Sequence, residues 1–259
     1  MPASLHAGLR RVEIGCRDLD RSVDFYQGLL GFQPPADVPR PAGRRQLLSR
    51  GTVVLELVEV GAESDQGGWV NDDLQGGIRH FGMKVAEVDR QIKRLEDAGV
   101  TVLSQPLDVL GDVRIAFFLD PDGARIEFIQ GNLRYQEISA PELAAAEAAQ
   151  VAGPEPRFDH VAVTVSDLPA ALAFWRDKFG FEVIGNIRHH GDPRGFLMTY
   201  LQAGQAVLEV FSFDQPIVPN DLSAAGSAVL GPRRLYVDAP GEQQLVAPDG
   251  VPVTMGDSR

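Results

Sequence analysis

The chain has 259 residues, 44% of them hydrophobic and 23% charged, and its formal net charge is -12. This composition is ordinary for a globular protein, and the length allows one large domain or two small ones. The negative charge argues against nucleic acid and anionic lipid as partners, because both repel it. The single cysteine, Cys16, excludes an internal disulfide and any metal site built from several cysteines.

The ends and apolar segments of the chain bear on its location. No apolar run approaches the roughly 18 residues that a membrane span requires, so we expect no membrane association. The first eight residues lack the basic and apolar segments of a signal peptide. A lone cysteine fits a reducing compartment. The sequence therefore predicts a cytoplasmic protein.

Residues 11–32 predict a strand followed by a helix. Apolar residues alternate with others from residue 12 to residue 16, which is typical of a strand with one buried face. Asp18 suits the start of the following helix, because its side chain can accept from the free N–H groups there. Gly31 suits the left-handed position that ends a helix.

Residues 80–132 predict a second unit of the same kind. A strand at 80–85 is followed by a helix from about residue 88 to residue 98, which Gly99 ends. The sequence Asp-Pro-Asp-Gly at 120–123 is typical of a tight turn, and alternating residues after it indicate a closing strand.

Two further units follow. Residues 160–181 repeat residues 11–32 at a constant offset, so that the cap aspartate and the terminal glycine recur as Asp167 and Gly180. The last unit is short. It opens with a strand at 233–238 and closes after a Pro-Asp-Gly turn, with a Pro-Gly pair in place of the helix.

These units define four modules: module one (residues 9–62), module two (77–132), module three (156–214) and module four (228–257). A full module is predicted to contain a strand, a helix and three strands, and module four is truncated. The Ala- and Glu-rich segment within residues 136–155 predicts a linker helix between two halves, residues 1–135 and 156–259. The predicted fold class is α+β.

The modules resemble the βαβββ module of the vicinal-oxygen-chelate superfamily, which is the glyoxalase, bleomycin-resistance and extradiol-dioxygenase group. The resemblance rests on the strand–Asp-Leu–helix openings that end in Gly-Phe, and on Asp-Pro-Asp-Gly followed by Ile-Glu in module two. It implies that paired modules form curled mixed sheets around a metal cleft. It also implies a histidine ligand on the first strand of a module and a glutamate ligand on the last.

Modules two and three each offer a complete pair of ligands at these positions, namely His80 with Glu127 and His160 with Glu209. Module one has Arg11 and Glu56 there instead, and module four has Pro232, or Arg234 after a small slip, with Thr254. The resemblance therefore implies one divalent ion (Zn, Ni, Mn, Co or Fe) held by the two histidines and two glutamates. Glu127 and Glu209 are then the candidate catalytic bases.

Two pairings of the modules are compatible with the chain. Consecutive pairing, one with two and three with four, leaves each cleft short of ligands. Exchanged pairing, two with three and one with four, gives one complete cleft and one without a ligand set. The ligand count favours the exchanged pairing.

The same residues also allow purely structural interpretations, in which they bind no metal. A histidine on a strand is often packed in the core, and Glu127 and Glu209 could face solvent, because an inward carboxylate without a partner is costly. Glu56 could be an ion-pair partner of Arg11. The pair at residues 189 and 190 could be solvated or form part of a lid.

The leading functional hypothesis is a metal-dependent isomerase, epimerase or lyase of the glyoxalase I type. It would abstract a proton next to a metal-bound carbonyl or hydroxyketone of a small-molecule substrate. One alternative is an extradiol-type dioxygenase, and another is a metal-free protein that binds a small molecule. The sequence is compatible with a homodimer.

Overall fold

The computed structural model describes residues 7–36, 41–65, 69–109, 112–150, 152–153, 155–220 and 228–256. In these residues, two mixed β-sheets carry most of the structure and a few short helices cover them. The predicted α+β class is confirmed. None of the described helices is long and apolar enough to cross a membrane.

Modules one and two supply the first strands. Module one contains β1 (Gly8–Cys16), α1 (Leu19–Asp24) with a π-helical turn (Phe25–Leu29), β2 (Arg45–Ser49) and β3 (Val54–Glu59). Module two contains β4 (Gly77–Lys84), α2 (Val88–Asp97), β5 (Leu107–Val109), β6 (Val113–Leu119) and β7 (Arg125–Gln130). Three strands follow the helix in module two, as predicted, but only two do so among the described residues of module one. Pro34 and Pro35 account for this, because proline has no N–H to donate to a neighbouring strand.

The predicted linker contains β8 (Glu137–Ile138) and α3 (Pro141–Ala148), while residues 151 and 154 lie outside the described part. Module three contains β9 (Arg157–Thr164), α4 (Leu168–Leu172) with a π-helical turn (Ala173–Lys178), β10 (Glu182–Arg188), β11 (Leu197–Ala203) and β12 (Ala206–Ser212). Module four contains β13 (Gly231–Asp238), β14 (Gln243–Val246) and β15 (Pro252–Gly256). Its described residues hold no α-helix, as predicted.

Each sheet combines modules from both ends of the chain. The larger sheet has the strand order β5-β6-β7-β4-β9-β12-β11-β10-β8 and so joins module two to module three. The smaller has the order β14-β15-β13-β1-β3-β2 and joins module one to module four. This is the exchanged pairing that the ligand count predicts. The division of the chain into two halves stays a prediction, since both sheets draw on both halves.

The helix ends follow the predicted chemistry. The Asp18 side chain accepts from the backbone N–H of Arg21 at 3.1 Å, and that of Asp167 accepts from Ala170 at 2.9 Å. Gly31 ends the first helix with a φ of 75°, a left-handed conformation that glycine adopts without a steric penalty. These caps fix the helices against the sheets.

The two Pro-Asp-Gly turns tie neighbouring modules together. The Asp122 carboxylate accepts from the backbone N–H of Arg17, at the end of β1, at 3.0 Å. In the same way, the Asp249 carboxylate accepts from the backbone N–H of Ser166, after β9, at 3.0 Å. Each turn therefore caps the strand–helix junction of a module in the other sheet, which binds the two sheets into one core.

Candidate metal centre

Four inner strands of the larger sheet bring the predicted ligand residues together. His80 lies on β4, Glu127 on β7, His160 on β9 and Glu209 on β12. The pairs β4·β7 and β9·β12 are parallel, while the central pair β4·β9 is antiparallel. Because side chains alternate between the faces of a strand, this register turns all four to one face of the sheet. All four are buried.

Their donor atoms surround a single point. The Nε2 atoms of the two histidines are 3.2 Å apart, and Oε2 of Glu127 lies 3.2 Å from that of His80 and 3.0 Å from that of His160. Oε2 of Glu209 lies 3.7 Å from each imidazole Nε2. Four ligands at about 2.1 Å from a tetrahedral ion would be roughly 3.4 Å apart, so these spacings fit a first-row divalent cation.

The chemistry of the donor set also fits such an ion. Two imidazoles and two carboxylates suit zinc and its first-row neighbours, and the two carboxylates balance the charge of a dication. No second group of three or more histidine, cysteine or acidic side chains is this close anywhere in the described ranges. The described residues therefore hold one site suited to a metal.

The surroundings shift the pKa values of the two glutamates in opposite directions. Burial alone would raise the pKa of Glu127, but hydrogen bonds with His160 and His80 outweigh it and lower the pKa to about 2. Burial raises the pKa of Glu209 to about 7, and the charge of Glu127 adds to the rise. Glu209 is therefore the less stable anion of the two when only protein groups surround it.

The two histidines also differ. Burial lowers the pKa of His80 to about 4. Burial acts in the same direction on His160, but hydrogen bonds with Asp159 and Glu127 raise its pKa well above the ordinary value. The Nδ1 of His160 lies 3.1 Å from a carboxylate oxygen of Asp159, so this contact can fix the ring with Nε2 towards the centre.

Gly82 makes room for the His160 ring. The two residues face each other across β4 and β9. A Cβ at position 82 would overlap the imidazole, with Cε1, Nε2 and Nδ1 of His160 as its nearest neighbours. Only glycine, which has no Cβ, allows the ring to lie here.

A cavity of about 160 Å³ opens beside the four residues. Its lining is mostly apolar and includes three phenylalanines, namely Phe117, Phe196 and Phe211. Tyr200 also lines it; this tyrosine faces Glu209 across β11 and β12, and its hydroxyl donates to Sδ of Met198 at 3.4 Å. The cavity is thus mostly apolar, and its polar lining includes His80, Glu127 and Glu209 together with Asp73 and Arg125.

Sequence reasoning gave Asp159 no role and left residues 189 and 190 open between a solvated pair and part of a lid. Asp159 precedes His160 directly, and an acidic residue next to a candidate ligand is a usable signal. His189 lines the cavity wall and stacks on Phe196 with ring centroids 4.8 Å apart, whereas His190 is exposed. Tyr200 has no signal of its own in the sequence beyond its place on a strand.

The smaller sheet contains a second cleft at equivalent positions. Gly82 faces His160 across β4 and β9, and Tyr236 faces Arg11 across β13 and β1. This register makes Arg11 the equivalent of His160. By the same register the equivalents of His80, Glu127 and Glu209 are, in that order, Arg234, Thr254 and Glu56.

The prediction of Pro232 at the histidine position was wrong, and the alternative, Arg234, is the residue found there. Pro232 faces Ile14 and Arg234 faces Glu13, so the β1 register skips position 233. The β9 register skips Arg79 of β4 in the same way, between Ile78 and His80, and this matching bulge makes Arg234 the equivalent of His80.

Ion pairs fill the second cleft. Glu56 accepts from Arg11 at 2.9 Å and from Arg45 at 3.1 Å. Glu13 lies 2.8 Å from Nε of Arg233 and accepts from the Tyr236 hydroxyl at 2.9 Å. Both carboxylates of this cleft are therefore neutralised by groups of the chain itself, as predicted for Glu56 with Arg11.

Two curled mixed sheets, with a buried His/Glu cluster on one of them, define a metal-cleft protein built from repeated βαβββ modules. The family model "Glyoxalase/Bleomycin resistance protein/Dioxygenase superfamily" matches residues 8–128 and 157–230, and the chain belongs to this superfamily. The resemblance stated from the sequence is confirmed.

Named relatives agree with this assignment. The chain is 27% identical over 176 residues to "Probable lactoylglutathione lyase, chloroplastic" of Arabidopsis thaliana, a match that covers 64% of the chain and 42% of that protein. It is 31% identical over 122 residues to "Probable lactoylglutathione lyase" of Synechocystis, covering 44% of the chain and 87% of that protein. "Anthracycline biosynthesis protein DauV" of Streptomyces sp. is 27% identical over 173 residues, with 65% and 58% covered.

Solved structures share the fold. Glyoxalase I from Zea mays matches with a TM-score of 0.70 over 97% of this chain and 92% of that one, at 18% identity. The matched region thus spans less than half of the Arabidopsis relative but nearly the whole maize structure. The family model thus assigns the superfamily, and the solved structure supports the fold.

Proposed function

We propose that the chain is a metal-dependent enzyme of the glyoxalase type, a lyase or an isomerase, that moves a proton next to a carbonyl of a small molecule. His80, Glu127, His160 and Glu209 would hold one divalent ion. The observation that supports this is the convergence of their four donor atoms, all within 4.8 Å of one another, beside a mostly apolar cavity. A bound ion would supply Lewis acidity, which makes a proton on the carbon next to a carbonyl more acidic.

Glu209 is the better candidate for the base that takes this proton. Its Oε2 lies 3.7 Å from both imidazoles, whereas Glu127 contacts both at 3.0–3.2 Å. A carboxylate held more loosely by its neighbours is freer to turn towards a substrate. Tyr200, which faces Glu209 across β11 and β12, lines the cavity beside that carboxylate.

The same contacts bear on the alternative hypotheses. A metal-free site would bury two carboxylates against two imidazoles, of which only His160 has a raised pKa. Burying uncompensated negative charge is costly, so the donor set favours a cation over a metal-free binding protein. A dioxygenase with ferrous iron typically uses two histidines and one carboxylate, whereas this cluster has two carboxylates.

Two measurements test the proposal. Elemental analysis after chelation and reloading should give about one ion per chain, because the described residues hold one donor set. Hydroxyketones incubated with the loaded protein in heavy water, without oxygen, should exchange the proton next to the carbonyl with solvent. Turnover that stops when oxygen is removed would support the dioxygenase instead, and full function without any metal would refute the ligand assignment.

A further inference from the structure

The cavity beside the four proposed ligands is walled by aromatic rings. Phe117, Phe196 and Phe211 line it together with His189. Aliphatic side chains complete the wall, namely Val109, Val113, Ile115, Ile129, Leu133 and Met198. This part of the lining favours an apolar group of the guest, because polar groups would find no partners along the phenylalanine and aliphatic side chains.

The rings hold one another in fixed positions. Phe196 stacks on Phe213 with centroids 4.8 Å apart and meets Phe211 edge to face at 4.9 Å. Phe117 lies edge to face with His80 at 5.4 Å, and its other contact is the Arg125 guanidinium, 3.9 Å from the ring centroid. A wall built in this way is preorganised, so a flat guest would lose little free energy in ordering it.

The charges of the cavity argue against an anionic substrate. Arg125 is the one arginine or lysine in the described lining, and it already pairs with Asp73 at 2.9 Å. Three carboxylates, those of Asp73, Glu127 and Glu209, line the same space. Glu127 and Glu209 would balance the proposed ion and Arg125 pairs with Asp73, so the described lining offers no further side-chain cation for the free carboxylates of a peptide conjugate.

The size of the cavity sets the scale of the guest. Its volume is about 160 Å³. An apolar protein cavity of about 150 Å³ binds a molecule the size of benzene, whereas drug-sized ligands fill about 300–1,000 Å³. One ring with a short polar substituent matches this space.

We propose that this cavity selects small, uncharged molecules in which an aromatic ring is attached to a hydroxycarbonyl group. The ring would lie along the phenylalanine wall, and the oxygen functions would point to His80, His160 and the two glutamates. This substrate class rests on the proton-transfer function proposed above.

The reaction on such a molecule balances without any oxidant or reductant. The C–H bond at the hydroxyl-bearing carbon breaks, and its proton passes to the Glu209 carboxylate. Return of the proton to the same face of that carbon restores the substrate, with exchange of the proton for solvent, whereas delivery of a proton to the opposite face inverts its configuration. Return to the neighbouring carbon, while the hydroxyl proton moves to the former carbonyl oxygen, exchanges the positions of ketone and alcohol.

The test compares three probes on the zinc-loaded protein: 2-hydroxy-1-phenylpropan-1-one, acetoin, and the hemithioacetal of glutathione with methylglyoxal. Calorimetry measures binding, and NMR in heavy water measures exchange of the proton next to the carbonyl. We expect the phenyl compound to bind at least about tenfold more tightly than acetoin, because full burial of a phenyl group contributes 1.5–3 kcal/mol. Tighter binding of acetoin or of the glutathione conjugate would overturn the inference.

Variants of the cavity wall test whether its phenylalanines cause the preference for the phenyl compound. Phe117→Leu and Phe211→Leu should each reduce the preference for the phenyl compound over acetoin by up to about tenfold, since a ring–ring contact contributes 0.5–1.5 kcal/mol. Phe174→Leu is the matched control, because Phe174 is partly buried, lies outside this cavity and contacts Trp175 and Phe179 instead. An unchanged preference in both cavity variants would contradict the assignment of the wall.

The two proposals fail separately. If the phenyl compound binds preferentially but no probe exchanges its proton, the cavity inference stands and the proton-transfer function falls. If acetoin and the phenyl compound bind and exchange equally well, the function stands and the aromatic selectivity falls.

Discussion

The two clefts of this protein have the same strand geometry but balance the charge of their buried carboxylates in different ways. In the larger sheet, His80 and His160 supply little positive charge to the two buried glutamates, and we propose that a bound cation balances them. In the smaller sheet, Arg11 and Arg234 occupy the equivalent positions, and the guanidinium of Arg11 binds Glu56 directly. An arginine is permanently charged, so it can replace a metal ion as the partner of a carboxylate.

The difference also shows in the residues that face the first-strand ligands. Gly82 faces His160 and leaves the space that the imidazole ring occupies. Its equivalent, Tyr236, fills that space in the second cleft, where the Arg11 guanidinium lies 4.1 Å from the centroid of the tyrosine ring. The comparison teaches that one module geometry supports either an open metal centre or a closed ion-pair cluster, depending on a few side chains.

The largest expected effect concerns the histidines. His80→Ala and His160→Ala should each lower metal affinity by at least about 100-fold, because each removes one of four proposed ligands. Arg11→Ala, the control at the equivalent position, should leave metal affinity unchanged. Competition with a fluorescent chelator measures the affinities. Equal losses of metal affinity in all three variants would contradict the assignment of metal binding to the cleft that contains the histidines.

The stability of the same variants gives a second readout. An ion that binds only the folded protein stabilises it by about 2.7 kcal/mol at a concentration 100 times its dissociation constant. Urea unfolding with and without zinc should show this gain in the Arg11→Ala protein and not in the histidine variants. A gain that persists in His160→Ala would place the ion elsewhere.

The next effect concerns the glycine. Gly82→Ala should lower metal affinity by roughly 10- to 100-fold, because the added methyl group overlaps the His160 ring and turns it away from the centre. Gly28→Ala is a suitable control, since a Cβ at that position meets nothing within 4 Å. Retained affinity in Gly82→Ala would show that the ring position does not depend on this glycine.

The second cleft should respond in stability rather than in metal binding. Arg11→Ala removes one of two arginines from the buried Glu56, whose side chain is only 3% exposed. We expect the free energy of unfolding to fall by roughly 1–3 kcal/mol, since Arg45 still pairs with the carboxylate. The double variant Arg11→Met/Glu56→Met should recover part of the loss. Urea denaturation measures both, and a double variant less stable than the single one would argue against the ion-pair interpretation.

The internal repeat explains why much of the fold and of the candidate site was predictable from the sequence. A histidine and a glutamate recur at matched positions of modules two and three, so the ligand set and the exchanged pairing both follow from counting. The aspartate caps and terminal glycines of the helices also follow from local chemistry, because they depend on neighbours in sequence.

Features that depend on contacts between strands were not predictable. The strand pairings, with matching bulges at Arg79 and Arg233, make Arg234 rather than Pro232 the equivalent of His80. The requirement for Gly82 arises from a ring on another strand, and the aromatic cavity wall combines β6, β12 and the segment before β11. Alternation within one strand carries no information on such cross-strand neighbours.

The smallest expected effect tests the one acidic neighbour that distinguishes the two histidines. Asp159 contacts Nδ1 of His160 at 3.1 Å, whereas Nδ1 of His80 is buried without a hydrogen-bond partner. Asp159→Asn should lower metal affinity by about tenfold, because an outer carboxylate orients the ring and raises the basicity of the ligand. The control is Asp97→Asn, which removes an exposed aspartate paired with Lys93 at 2.8 Å. A role in packing alone predicts lower stability with unchanged affinity, so measuring both quantities on the two variants separates orientation of the ligand from support of the fold.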